Sequence, residues 1–246
     1  MKTIDVRNVS FSFGAEDVIG NISFTCEKDE FVSIVGPSGC GKSTLLRIIS
    51  GLTKPTGGKV FFMGNEVNEP TMGISFVFQD FALLPWLTNI ENVKLGFSRM
   101  NISDEEKEKK AKTILENFGL QGFEDSYPNV LSGGMKQRVG VARALASDPK
   151  VLLMDEPFSS LDELTADTLR NDVLYQLKSE EMPVNAVIMV THNVEEAVQL
   201  SDKIVVLSPK PSKVREVLKI DLPRPRNRRS KAFVKIIDEV FAILAH

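Results

Sequence analysis

Nine residues constrain this chain more than any others. Gly36-Pro37-Ser38-Gly39-Cys40-Gly41-Lys42-Ser43-Thr44 follows the apolar run Phe31–Val35 and precedes Leu45-Leu46-Arg47-Ile48-Ile49. A strand, a glycine-rich turn and a helix in that order form a phosphate-binding loop. Glycines 36, 39 and 41 let successive backbone N–H groups curl inward, and the helix that follows adds its positive end. Lys42 brings a point charge to the outer phosphates, and the Ser43 hydroxyl is placed to ligate magnesium. Cys40 serves most simply as a small residue that fits.

The bulk properties narrow the partners. A chain of 246 residues with a formal charge of −3 and a pI of about 5.6 lacks the basic field that nucleic-acid binders use. Cys26 and Cys40 form no CxxC pair and no zinc spacing, so a reducing compartment is expected. The first residues show no secretion signal, and no stretch reaches the roughly 18 to 20 apolar residues needed to cross a bilayer. Service to a membrane would therefore be from its side.

Short apolar runs at Phe31–Val35, Ile74–Phe78, Val151–Met154, Ala186–Val190 and Ile204–Leu207 read as buried parallel strands separated by helices. Alternating segments at Ile4–Phe13, Ile22–Phe24 and Lys59–Met63 predict an antiparallel β part. From about 80 to 149 no strand is expected; Asp104–Phe118 reads as a charged helix, acids first, within an inserted helical subdomain. An α/β cassette over 1–222 is expected, followed by a tail over 223–246. In that tail a proline-punctuated basic segment, Pro223 to Lys231, is either a solvated linker or a contact for headgroups or a partner. An amphipathic helix carrying Phe233, Ile236, Ile237, Val240, Phe241 and Leu244 on one face ends the chain.

Three further segments carry chemistry. Val151–Met154 ends in Asp155 and Glu156, which a parallel sheet would deliver to its ligand-binding edge. Asp155 suits a magnesium shell as a hard oxygen ligand, and Glu156, facing elsewhere, suits proton abstraction from water. Ser132 caps a helix whose first turn is Gly133 and Gly134, which makes a second anion site at a helix mouth. Val187–Val190 leads to Thr191 and His192; a lone histidine there is either a structural hydrogen-bonder or a functional group. Asn193 with Glu196 reads as the start of the next helix.

In order and spacing these motifs resemble those of the ATP-binding-cassette (ABC) ATPases over nearly the whole chain. Gly36–Thr44 is similar to Walker A, Gln79 to the Q-loop, Leu131–Met135 to the signature, Val151–Glu156 to Walker B, Ser160-Leu161-Asp162 to the D-loop and His192 to the switch histidine. Phe78–Thr88, the signature ending in Met135, and Leu222-Pro223-Arg224-Pro225-Arg226 resemble the nitrate/sulfonate/taurine-type importers. The chain departs from the family's usual residues at Met135, Ser160 and Asn193, none of which must carry charge.

The resemblance implies a P-loop NTPase (RecA-like) fold, mostly parallel, with an antiparallel β part and an inserted α-helical subdomain. It implies ATP and Mg²⁺, and two copies closing over two ATP molecules so that Ser132, Gly133 and Gly134 of one complete the Walker A site of the other. Phe13 would stack on adenine or else lie in the core. Gln79 would join the magnesium site to the helical insertion or merely end a strand, and Asp162 would order the dimer contact or simply cap a helix. Lys42, Gln79, Glu156 and His192 are the expected catalytic set, with Ser43, Gln79 and Asp155 at the metal. The partner implied is a separate membrane-spanning permease docked near Gln79–Trp86 at the cytoplasmic face, served indirectly by a periplasmic or extracellular solute-binding protein; Trp86 would otherwise pack in the core. The alternative is a soluble ABC-type ATPase acting as a conformational switch on nucleic acid or ribosomes, against which stands the lack of coiled-coil arms or a duplicated cassette.

Overall fold

The computed structural model describes residues 1–159, 161–177 and 184–245. Ser160 lies outside them. In chain order the elements are β1 (Lys2–Phe13), β2 (Glu16–Glu27), β3 (Glu30–Val35), α1 (Lys42–Ile49), β4 (Gly57–Phe62), β5 (Asn65–Glu66), β6 (Ile74–Val77) and α2 (Asn89–Lys94). Then come α3 (Asp104–Asn117), α4 (Gly133–Ala146), β7 (Val151–Asp155), α5 (Glu163–Leu177), β8 (Ala186–Val190), α6 (Val194–Leu200), β9 (Lys203–Leu207), β10 (Val214–Lys219) and α7 (Lys231–Ala245). The chain forms two compact units, Met1–Thr71 with Asn185–His246, and Met72–Val184.

In the first unit β1 pairs antiparallel with β2 on one side and β4 on the other, and β5 extends β4. This is the antiparallel part that alternation predicts. β3 runs parallel to both β8 and β9, with Ile34 opposite Val190 and Val205. These strands are buried along nearly their whole length, as continuous apolar runs covered on both faces must be. Sequence reading does not anticipate β10, which closes this group antiparallel to β9. Its Val-Arg-Glu-Val-Leu-Lys run mixes half-buried and exposed residues and has no buried one, so it shows neither a buried run nor a clean alternation.

The C-terminal segment is tied down rather than freely solvated. Arg226 donates from Nη1 to the carbonyls of Val198 (2.5 Å) and Ser201 (2.6 Å), and Arg224 donates to the carbonyl of Leu200 (2.6 Å) and to Asp202 Oδ1 (2.5 Å). The final carbonyls of a helix lack intrahelical partners, so these guanidinium groups satisfy the end of α6 with charge of the favourable sign. α7 then lays Phe233 and Val240, both fully buried, on a cluster with Val194, Ala197, Val198 and Val206; Ile236, Ile237 and Leu244 pack at its edge. Phe241 does not share that face, being 56% exposed. It stands eight residues after Phe233, about 80° round the helix.

In the second unit β6 and β7 run parallel, with Ile74 opposite Val151, and no strand lies between Val77 and Val151. Helices α2, α3 and α4 occupy that interval. α3 begins at the Ser103 cap, whose Oγ accepts from Glu106 N (3.1 Å), and has Asp104, Glu105 and Glu106 in its first turn. It turns Ala111, Ile114 and Leu115 inward, and Phe118 just beyond it is also buried. α2 opens with a Thr88–Glu91 capping box.

The burial of α7 gives a direct test. Phe233→Ala should cost about 3–5 kcal/mol of unfolding free energy, as truncating a buried phenylalanine usually does. Phe241→Ala should cost less than about 1 kcal/mol. Urea titrations of both variants read the difference, and equal losses would place Phe241 in the core after all.

Candidate functional site

The phosphate loop lies between β3 and α1. Gly39 (φ 75°) and Gly41 (φ 102°) are left-handed, a conformation costly to any residue with a Cβ. At Gly36 the need is space: a Cβ there would lie 3.0 Å from Cys40 Sγ and 3.1 Å from Leu207 Cβ. At Gly41 it would lie 2.8 Å from Val18 Cγ1, because the start of β2 packs against the loop. Pro37 O accepts from Cys40 N (3.3 Å) and Gly41 O from Leu45 N (2.8 Å), so the loop closes on itself and runs directly into helix. Ser43 and Thr44 stand half-buried in the first turn of α1, while Ser38 and Gly39 face solvent.

Lys42 is buried, and its Nζ donates to the carbonyls of Gly36 (2.9 Å) and Pro37 (3.0 Å). Those bonds hold the ammonium across the loop. Burial raises the Cys40 thiol above its usual range despite the nearby Lys42 charge, so the residue is protonated and fills space. Phe13 ends β1 opposite Glu16 on β2, the strand that abuts the loop. It is 62% exposed and meets Phe11 edge-on at 4.7 Å between centroids. The core alternative for Phe13 is thereby removed, and an aromatic face is left open to solvent.

His192 is exposed just past the end of β8, and the same turn starts α6, where Asn193 Oδ1 accepts from Glu196 N (3.1 Å). The capping role falls to Asn193, which leaves the imidazole of His192 outside the helix.

In the second unit β7 ends at Asp155, which is 5% exposed, and the chain turns sharply at Glu156. Glu156 is left-handed (φ 45°). Such a conformation costs about 1–3 kcal/mol away from glycine, and here the turn is braced by Ser159, whose N and Oγ both donate to Glu156 O (3.3 and 3.0 Å). On either side of this turn Asp155 is buried and Glu156 half-buried. Gln79 is exposed beyond the end of β6, and its Nε2 stands 3.5 Å from Glu156 Oε2, at the outer limit of a hydrogen bond. The structure thus brings Gln79 and Glu156 together.

α4 opens at Ser132, whose Oγ accepts from Met135 N (3.3 Å), with Gly133 exposed and Gly134 buried in the first turn. First-turn amides have no partners within the helix, and a hydroxyl accepting one hydrogen bond still has its own proton to donate. Asp162 Oδ1 accepts from Thr165 N (3.1 Å) at the start of α5. That hydrogen bonding holds its carboxyl below the ordinary range. The helix-capping alternative for Asp162 is therefore realised. Trp86 is 69% exposed, so it does not belong to the core.

Sequence reading missed two residues that shape this unit. Arg143, in the last turn of α4, donates to the carbonyls of Phe81 and Ala82, and the fully buried Asn92 of α2 bonds the backbone around Leu84–Thr88. Neither belongs to a recognisable motif. The Thr88-x-x-Glu91 box was the one signal that the loop after Gln79 ends in a helix.

A family model described as ABC transporter matches residues 19–159. An uncharacterised ABC transporter ATP-binding protein of Methanocaldococcus jannaschii is 46% identical over 98% of this chain and 91% of its own length. The aliphatic sulfonates import ATP-binding protein SsuB of Bacillus cereus is 43% identical over 97% of this chain and 94% of its own. The nitrate import ATP-binding protein NrtC of Synechocystis is 42% identical over 93% of this chain but only 35% of its own. Among solved structures, a dimeric ATP-binding cassette in a post-hydrolysis state with ADP and phosphate superposes with a TM-score of 0.78 at 35% identity, over 89% of this chain and all of that one. The phosphate loop between β3 and α1, the helical interval before β7 and the two acids at the end of that strand are thus parts of one known architecture: the chain belongs to the ABC transporter family, as an ATP-binding ATPase subunit with the P-loop NTPase cassette fold.

Proposed function

We propose that this chain hydrolyses ATP between two copies of itself to drive uptake through a separate membrane-spanning permease, with a sulfonate, nitrate or taurine type of substrate. The observation that carries the reading is that one chain holds two glycine-bared helix mouths, at α1 and at α4. Each can bind anionic oxygens through backbone N–H groups. A dimer gives the second mouth a use: Ser132, Gly133 and Gly134 of one copy close on the nucleotide held by the phosphate loop, Gly36 to Thr44, of the other. The dimeric cassette with ADP and phosphate that this fold matches supports a dimer, and the importer subunits among its relatives support a permease partner.

Lys42 and the loop amides hold the β- and γ-phosphates, and Phe13 offers its exposed ring to adenine. Ser43, Asp155 and the side-chain oxygen of Gln79 are a hydroxyl, a carboxylate and an amide, all hard donors of the kind magnesium takes. Among the described residues no group of three or more His, Cys, Asp or Glu could hold a metal ion. Such a sparse set fits magnesium, which keeps waters and shares phosphate oxygens instead of filling a protein cage. When bound, the ion neutralises charge on the transferring phosphoryl group.

Glu156 accepts the proton of the attacking water, His192 supports the terminal phosphate, and Gln79, within reach of Glu156, reports occupancy to the helical unit. Asp162 orders the contact between copies while capping α5. Among the described residues no helix is long and apolar enough to cross a membrane; the permease partner, which the importer subunits among the relatives support, we place against Gln79–Trp86 at the cytoplasmic face. A solute-binding protein outside the membrane selects the cargo.

Glu156→Gln should keep ATP affinity within about twofold while turnover falls by roughly 10² to 10⁴, the usual yield of positioned proton transfer, or about 3–5 kcal/mol of barrier. Single-turnover hydrolysis and equilibrium binding separate the two quantities, and near-normal turnover removes Glu156 from the role of base. Trp86→Ala should leave the ATPase activity of the isolated subunit unchanged while transport by the assembled complex is lost. Loss of both together would mean that Trp86 supports the fold instead.

A further inference from the structure

The backbone after Gln79 is held by two helices. From α4, Arg143 Nη1 donates to Ala82 O (2.6 Å) and Nη2 donates to Phe81 O (2.8 Å). Both acceptor residues are left-handed, at φ 63° for Phe81 and 45° for Ala82, and two consecutive side-chain-bearing residues do not hold that conformation unaided. Gly140, one turn earlier on α4, lies against the same bend: a Cβ there would sit 3.4 Å from Phe81 O. From α2, Asn92 Oδ1 accepts from Leu84 N (2.8 Å), and its Nδ2 donates to the carbonyls of Leu84 (3.1 Å), Leu87 (3.2 Å) and Thr88 (2.9 Å). Residues 81–88, with the exposed Trp86 among them, are therefore fixed at both ends.

The two holds differ in what they connect. Asn92 stands four residues past Thr88 and ties the segment to its own continuation. Arg143 ties it to α4, a single helix of 14 residues whose other end is the Ser132-Gly133-Gly134 mouth. Any displacement of that mouth carries the far end of the helix with it. The planar fork of a guanidinium then passes the displacement to two carbonyls in fixed geometry, which a single ammonium cannot do.

We propose that Arg143 is a positioning residue for coupling: by bridging the carbonyls of Phe81 and Ala82 it makes the Trp86 segment move with the signature-bearing helix, so that nucleotide capture at Ser132–Gly134 is transmitted to residues 81–88. The use of that motion rests on the docking role proposed above for Gln79–Trp86. The link itself does not.

Hydrogen exchange on the purified chain tests it without a permease. In a Glu156→Gln background, MgATP should slow amide exchange at the phosphate loop, at residues 131–137 and at residues 81–88. Adding Arg143→Lys should leave the first two responses in place and cut the third to less than about half, because the lysine loses the two-pronged contact. Ala82→Gly combined with Arg143→Lys separates positioning from mere relief of strain, since glycine accepts the left-handed backbone at no steric cost. A response at 81–88 that stays weak in that variant supports the proposal. An undiminished response in Arg143→Lys, its recovery in the Ala82→Gly combination, or no response at 81–88 in the starting chain overturns it. Coupled transport that survives Trp86→Ala would remove the docking role and leave the exchange result standing.

Discussion

A buried ammonium within a tight loop is the constraint on which the nucleotide-binding part of this protein depends. Lys42 has almost no water around it and is satisfied by the carbonyls of Gly36 and Pro37. Burying a charge without such partners is prohibitive, so the loop must bend round its own lysine. The bend in turn demands close approach on two sides, by Leu207 at Gly36 and by Val18 at Gly41. Strands β9 and β2 therefore set the width of the loop, and the mostly apolar, buried character of β3, β8 and β9 keeps that frame rigid enough to hold amide groups in place for an anion.

The helical unit solves a different problem. Its chain after β6 has to leave the sheet, expose Gln79 and Trp86, and still be reproducible in position. It does so with backbone carbonyls gripped by side chains: Arg143 at Phe81 and Ala82, and Asn92 from Leu84 to Thr88. A loop fixed in this way spends little of its conformational freedom on binding. Glu156 follows similar logic at the end of β7, where Ser159 braces a left-handed turn. Three of the left-handed residues that carry side chains, Phe81, Ala82 and Glu156, sit at positions assigned to coupling or chemistry, and ordinary hydrogen bonds from neighbours sustain them.

Much of this was legible beforehand. The buried strands β3, β7, β8 and β9, the position of β6 though not its full burial, the antiparallel β1, β2 and β4, the strand-free interval before β7, the Ser132 cap and the Asn193 cap all follow from local pattern, because apolar period and capping chemistry act over a few residues. β10 escaped because an edge strand with mixed exposure has no period to show. The tail of the chain was misread in part for a related reason: Arg224 and Arg226 look solvated in a proline-rich segment, yet they bond carbonyls some 25 residues earlier, at the end of α6. Phe241 joins the apolar positions of α7 by composition and leaves their face by angle.

The amino-acid sequence by itself determined the loop, its lysine, the paired acids at the end of β7 and the second glycine mouth, since each is a contiguous run whose chemistry is fixed by residue type and spacing. Only the tertiary structure decided that Phe13 and Trp86 are open to solvent, that Gln79 reaches Glu156, and that Arg143 grips a bend 61 and 62 residues away in sequence. Those are properties of side chains meeting backbone from distant segments. No periodicity encodes them, because the carbonyl that accepts a hydrogen bond is present at every residue and folding alone selects which one is met.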